Sequence, residues 1–210
     1  MIINSIDYQR FSLSILDQEF DVSDEKLISN LAVILRNDYP RRESSDRFYA
    51  GFNNEERRIF FLTKDSLMVK EDKVKEFQAS LDSIINSTNE LEEHLEFNRP
   101  FDLALRLVAS AEIDSEIDIL ETSVNHLSPR GISIEDVPGD FLYSKTEFTF
   151  AVDGKTYTLE VEPDVENEYQ LNLELNVLGL KIEDTSEISD IFSDSKSILE
   201  GLIKKIVGKW

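Results

Sequence analysis

Strict alternation of apolar and polar residues is the feature that most constrains this chain, and it recurs along it. Phe11, Leu13 and Ile15 alternate with serines, and the same pattern runs through residues 101–107 and 169–177. Because successive side chains of a strand point to opposite faces, this alternation predicts strands with one dry and one wet face. The chain is therefore predicted to build an antiparallel sheet that faces solvent on one side.

One tight turn is predicted together with its strand register. Asp153-Gly154 separates two alternating segments and suits a type I′ hairpin, in which both loop residues take a positive φ. A two-residue loop of this kind places Phe150 opposite Tyr157 and Phe148 opposite Leu159. This is the most specific structural prediction that the sequence supports.

Apolar residues at helical spacing predict four helices. The stripes are Leu27, Ile28, Leu31, Ile34 and Leu35; Val74, Phe77, Leu81, Ile84, Ile85, Thr88, Leu91 and Leu95; Ile117, Leu120, Val124 and Leu127; and Ile188, Ile191, Phe192, Ile198, Leu199, Leu202, Ile203 and Ile206. Ser23 is the predicted N-cap of the first helix, and Asp114 or Ser115 that of the third. The third helix is expected to end at residues 128–131, which contain a proline and a glycine.

Two segments of the chain have echoes further on, which indicates repeated structural units. Residues 19–24 are echoed at 112–117, and residues 67–72 are echoed at 180–184. We therefore predict an α+β fold of two similar modules in tandem, packed together as one compact unit. Each module is expected to be a mostly antiparallel sheet covered on one face by helices, in the order strand, helix, strands, helix. The predicted boundaries are 1–98 and 99–210, since residues 98–100 read Asn-Arg-Pro.

The predicted order of elements resembles that in each half of the saddle-shaped TATA-binding protein fold. The resemblance covers element order and no motif, so it implies architecture and carries no function. With 43 acidic against 22 basic residues, the chain has a net charge of -21, which repels nucleic-acid phosphates and anionic membranes. Direct nucleic-acid or membrane binding is therefore not expected.

Cysteine is absent, which excludes disulfides, thiolate nucleophiles and cysteine-based metal sites. The first residues lack a basic segment followed by a long apolar one, so we expect no secretory signal and a cytoplasmic location. His94 and His126 have no second ligand at metal-binding spacing, and no phosphate-binding glycine loop or catalytic signature occurs. We therefore predict no catalytic residue, no cofactor and no metal site, which favours a protein that is not an enzyme.

Two charged sets are the candidate binding sites. An acidic docking face is predicted from carboxylates that share the wet side of the last strands, with Glu147 opposite Glu160 across the hairpin. An anion or partner site is predicted where positive charge concentrates around and after the first helix. The acidic set is Glu147, Glu160, Glu162 and Glu174, and the basic set is Arg36, Arg41, Arg42, Arg47, Arg57 and Arg58.

These sets support two hypotheses for function. The first is an acidic, non-catalytic interaction protein of the antitoxin, immunity, inhibitor or adaptor type that binds a protein partner, with mimicry of nucleic acid towards a basic partner as a sub-case. The alternative is a small-molecule or nucleotide binder, including an enzyme, that uses the cluster from Arg36 to Arg58. Homo-oligomerisation is a further expectation, because open antiparallel sheets leave edges that must be covered.

Overall fold

The structure, a computed structural model, describes residues 2–95, 97–114, 119, 122–123 and 145–209. Its strands are β1 Ile2–Leu16, β2 Arg41–Ser44, β3 Phe48–Asn53, β4 Arg58–Thr63, β5 Leu67–Asp72, β6 Phe101–Asp114, β7 Thr146–Val152, β8 Lys155–Pro163 and β9 Gln170–Ile182. The helices with described bounds are α1 Glu25–Ile34, α2 Phe77–Glu92 and α3 Glu187–Val207. Most of the predicted third helix lies outside the described residues, apart from Ile119, Thr122 and Ser123, which are helical.

All nine described strands belong to one antiparallel sheet, in the order β2-β3-β4-β5-β1-β6-β9-β8-β7. The prediction of two helix-covered modules is therefore wrong. The reason is the central pairing of β1 with β6, which runs from Ile2 opposite Asp114 to Leu16 opposite Asp102. Each of these long strands would have had an unpaired edge in a separate module. Because β1 and β6 pair with each other, the sheet is continuous across the predicted boundary between the modules.

The core lies between one face of this sheet and the helices. Phe11, Leu13 and Ile15 of β1 are at most 1% exposed, and the alternating serines are half-buried on the other side. The buried residues of the three helices, such as Phe192 of α3, join the same apolar cluster as the buried strand residues. The alternation of β1 and the stripes of α1, α2 and α3 thus predicted most of the dry side chains, whereas Phe148 and Tyr169, predicted on the dry face, are 39% and 44% exposed.

The hairpin prediction is confirmed in both its turn and its register. Asp153 and Gly154 have φ of 50° and 80°, as a type I′ turn requires. Phe150 pairs with Tyr157, with their rings stacked at 5.4 Å, and Phe148 pairs with Leu159. The local turn chemistry therefore fixed the pairing of β7 with β8.

The predicted cap of the first helix is wrong by one residue. Asp24 is the N-cap of α1, and its carboxylate accepts a hydrogen bond of 2.8 Å from the backbone N–H of Lys26. Ser23 instead donates its hydroxyl to the carboxylate of Asp21 at 2.6 Å. Serine and aspartate are both favoured at this position, and the preceding Asp21 engages the serine first.

Candidate binding surfaces

The face of the sheet opposite the helices, here called the open face, is the largest candidate surface. No helix with described bounds packs on it, and at its centre Ser14 of β1 lies opposite Ala104 of β6, while Ser12 lies opposite Arg106. Every second residue of every strand contributes to this face because of the period-two geometry of the sheet. Its chemical character therefore changes from strand to strand.

Carboxylates line up across the open face at the β7–β9 end. Glu147 pairs with Glu160, and Glu160 pairs in turn with Glu174, so the three form one cross-strand set that we call the acidic row. Glu162 lies two residues along β8 on the same face, opposite Asn172. The structure thus brings all four predicted acidic residues onto one face of neighbouring strands.

Two cations hold the acidic row in place. The ammonium group of Lys145 contacts Glu160, and the guanidinium of Arg106 contacts Glu174, which also accepts a hydrogen bond of 2.9 Å from the Asn176 amide. Burial raises the pKa of Glu174, but the contacts with Arg106 and Asn176 outweigh it and hold that pKa below its ordinary value. The hydrogen bond that Lys145 donates to the Glu160 carboxylate raises the pKa of Lys145, which lies at the exposed edge.

Replacing Glu174 with glutamine is expected to weaken the fold near neutral pH and not in acid. A carboxyl whose pKa is lowered by folding stabilises the folded state above its unfolded pKa, and this contribution disappears as the pH falls through the folded pKa. Because the pair is partly exposed, the expected loss near neutral pH is only about 0.5–1 kcal/mol. Urea unfolding of both proteins from neutral pH into the acid range measures it.

The exposed Glu166 on the loop before β9 offers the matched control, Glu166→Gln, which should leave stability unchanged throughout. A deficit in Glu174→Gln that persists undiminished below the ordinary carboxylate range would contradict the assignment of its charge to the pairing with Arg106.

The opposite end of the open face is apolar, which was not predicted from the sequence. The rings of Phe48 and Phe61 stack at 5.3 Å, and both are half-buried on the side away from the core. The apolar patch consists of Phe48, Phe52, Ile59, Phe61 and Met68. The sequence does contain an indication of this patch: residues 59–62 are all apolar, whereas a strand with one wet face should alternate apolar and polar residues. Such a run places apolar side chains on both faces of the strand.

The six predicted arginines do not share one site. Arg58 points to the helix side, where its Nε donates to Glu71 at 2.8 Å, while Arg42 donates to the carbonyl of Ala32 in α1. Arg41 is exposed on β2, Arg36 is exposed after α1, and Arg47 borders a shallow depression with Lys64. These arginines are close in sequence but their side chains are separated in the fold, because successive side chains of a strand point to opposite faces of the sheet.

A cleft of about 920 Å³ gathers a different set of cations. It lies between β1, the β3–β4 turn and the loop after β5, and Arg57 and Arg58 are the two members of the predicted cluster that line it. The other cationic residues in its wall are Arg10, Lys73 and Lys75. These three residues were not predicted as part of a site, because they come from segments outside the arginine cluster.

Comparison with known proteins gives little beyond this geometry. No family model matches the chain, and no curated protein matches it. Among solved structures the chain is similar to Methanococcus jannaschii TBP, at 14% sequence identity and a TM-score of 0.39, over 92% of this chain and 98% of that chain. A likeness at this level carries no argument about function.

No helix in the described part of the chain has the length and apolar character that crossing a membrane requires.

Proposed function

We propose that this protein is a non-catalytic interaction module that binds a basic protein partner through the open face of its sheet. The observation that carries the proposal is the acidic row, three carboxylates aligned across β7, β8 and β9 on a face that the helices with described bounds leave uncovered. Antitoxins, immunity proteins, inhibitors and adaptors are the kinds of protein that work by such contact alone.

The acidic row is only partly neutralised within the described part of the chain, where Glu147 forms no ion pair. Like charges directly opposite one another destabilise a strand pair, and Lys145 and Arg106 each contact only one member of the row. A partner that brings cations to Glu147, Glu160 and Glu174 would relieve this repulsion. In a chain with a net charge of -21, the same field would accelerate the encounter with a basic protein.

The apolar patch supplies what the acidic row lacks. Well-packed interfaces have an apolar centre that excludes water and carries most of the affinity, surrounded by polar groups that set specificity. Phe48 and Phe61 present half-buried rings on the same face as the carboxylates. The proposed partner therefore carries basic side chains at one end of its contact surface and an apolar projection at the other, with β1 and β6 between the two contacts.

Removing the charge of the acidic row is expected to weaken partner binding by tenfold or more. The variant replaces Glu147, Glu160 and Glu174 with glutamine, and its binding should also depend less on salt, since screened charges no longer contribute. The partner is captured from cells of the source with the wild-type chain, identified, and titrated against each variant by calorimetry at several salt concentrations.

A control variant with the same change in charge replaces the exposed Glu76, Glu93 and Glu166 with glutamine. It should bind the partner like the wild type. Equal losses in both variants, or wild-type binding that does not weaken as salt rises, would overturn the assignment of the acidic row as the docking surface.

Three further expectations belong to this proposal. Nucleic acid is not a ligand, because the negative charge of the chain opposes its phosphates. A cytoplasmic location agrees with the absence of cysteine and is checked by cell fractionation. Self-association is checked by sedimentation of the purified chain.

The alternative function, a small-molecule or nucleotide binder, needs cations that converge on an enclosed space. The cluster from Arg36 to Arg58 as a whole does not line one. The cleft that Arg57 and Arg58 line with other cations is the observation that favours this function.

A further inference from the structure

We propose that the cleft between β1, the β3–β4 turn and the loop after β5 binds a small molecule that carries a phosphate group. The proposal does not rest on binding of a protein partner, and it concerns a different ligand. The cleft lies at the margin of the open face, where Phe52 and Ile59 of the apolar patch form part of its wall.

The charge of the cleft is opposite in sign to that of the chain. Five cationic side chains line it against two carboxylates, Asp7 and Asp72, although acidic residues outnumber basic ones almost two to one in the whole sequence. Most of the rest of the chain is negatively charged, so the positive charge of the cleft is a local exception. It creates a local site for an anion.

Three of the five cations are free to meet a ligand. Arg10 pairs with Asp72, and Arg58 pairs with both Glu56 and Glu71. Arg57, Lys73 and Lys75 form no ion pair with any residue that the structure describes. One guanidinium and two ammonium groups match the charge and hydrogen-bonding capacity of a phosphate dianion.

The backbone at the cleft is held in an unfavourable conformation. Arg57 and Lys73 have φ of 53° and 63°, in the left-handed region, which costs an ordinary residue about 1–2 kcal/mol. The other non-glycine residues there, Asp17 and Asp153, are of a type that tolerates it better. Strained positions that keep long cationic side chains and border the same cavity are typical of a binding site.

Backbone hydrogen bonds fix these two strained residues relative to each other. The carbonyl of Gln9, in the irregular part of β1, accepts hydrogen bonds from the N–H groups of Lys73 at 2.7 Å and Val74 at 3.3 Å. The carbonyl of Arg57 accepts one from the N–H of Asp72 at 2.9 Å. The cations therefore project from anchored backbone, which lowers the entropy lost on binding.

The remaining wall indicates that the phosphate is attached to an organic group. Tyr8, Val74 and Val108 add apolar surface to that of Phe52 and Ile59, and the volume of about 920 Å³ lies in the range of small-molecule sites. Asn53 and Asn54 add amide groups to the same wall. A phosphorylated metabolite or nucleotide fits this combination better than a bare ion.

The test is calorimetric titration of the full chain with pyrophosphate, inorganic phosphate and adenosine monophosphate at low ionic strength. The diagnostic variant combines Lys73→Gly with Lys75→Gln. It removes both ammonium groups, while glycine relieves the left-handed strain at residue 73, so the fold should be as stable as the wild type or more so. We expect saturable binding of at least one probe by the wild type, weakened at least about tenfold in the variant.

Two control variants separate a site from general attraction. Asp17→Gly relieves a left-handed residue outside the cleft, and Lys204→Gln with Lys205→Gln removes two exposed cations at the end of α3. Neither should reduce binding. No binding of any probe, or an equal loss in the α3 variant, would overturn the proposal.

An acidic surface of a second copy is the competing occupant of the cleft. A dimer that the Lys73→Gly, Lys75→Gln variant dissociates and that the phosphate probes leave intact would overturn the small-molecule site in favour of that contact. Because Lys73 and Lys75 are not part of the acidic row, failure here leaves the proposed partner surface untouched, and the reverse also holds.

Discussion

Replacing Phe11 with alanine is expected to lower the free energy of unfolding by about 3–5 kcal/mol. Phe11 is fully buried in β1, at the centre of the sheet, and its ring lies 4.7 Å from that of Phe77 in α2 and 5.7 Å from that of Phe192 in α3. The side chain therefore joins the sheet to two helices. Its removal loses the transfer free energy of the ring and leaves a cavity that three elements would have to close.

The measurement is equilibrium unfolding in urea, and Phe48→Ala is the matched control. Phe48 is also an aromatic residue of a strand, but it is half-buried on the open face and should cost clearly less. A loss in Phe11→Ala below about 1 kcal/mol, or one no larger than that of the control, would show that β1 does not pack against both helices as described.

Replacing Arg58 with methionine is expected to cost about 3–5 kcal/mol, because it leaves a carboxylate buried without its counter-ion. The side chain of Glu71 is 7% exposed and that of Arg58 is 16% exposed, with 2.8 Å between the Nε and a carboxylate oxygen. The other carboxylate oxygen of Glu71 accepts a hydrogen bond of 2.6 Å from the hydroxyl of Ser80 in α2. One hydrogen bond cannot offset the desolvation of a full charge.

A double variant distinguishes the lost charge pairing from lost packing. Glu71→Gln combined with Arg58→Met should be more stable than Arg58→Met alone, because a neutral amide still accepts from Ser80 without the cost of a buried charge. Lys70→Met, which breaks the more exposed contact with Asp72, should cost less than about 1 kcal/mol. A double variant no more stable than the single one would contradict the electrostatic explanation.

The sequence predicted what is local in this fold and missed what is distant. The register of Phe150 with Tyr157 follows from the two residues between the strands, and so does the pairing of Glu147 with Glu160. The pairing of β1 with β6 joins residues about a hundred positions apart, and no turn chemistry connects them. The similar segments of the sequence therefore led to a prediction of two sheets, whereas the described strands form one.

The candidate sites show the same limit. Arg57 and Arg58 are neighbours in sequence and both line the cleft, yet Arg58 is paired with Glu71 while Arg57 forms no ion pair with a residue that the structure describes. Lys73 and Lys75 join them through a loop whose position depends on the irregularity of β1 at Gln9. Such a site forms only when strands that are distant in the sequence pair with one another. A single sequence does not reveal which strands pair, so the site could not be predicted from it.

The central position of β1 has a consequence for synthesis on the ribosome. β5 can pair with β1 once residue 72 has emerged, but the other edge of β1 has no partner until β6 follows, ending at Asp114. During that interval one edge of the fifteen-residue strand β1 is unpaired. Its free backbone N–H and C=O groups can then pair with another chain and cause aggregation. Slow translation of residues 73–114 would lengthen the time for which this edge is exposed, and a chaperone bound at the ribosomal exit tunnel would protect it.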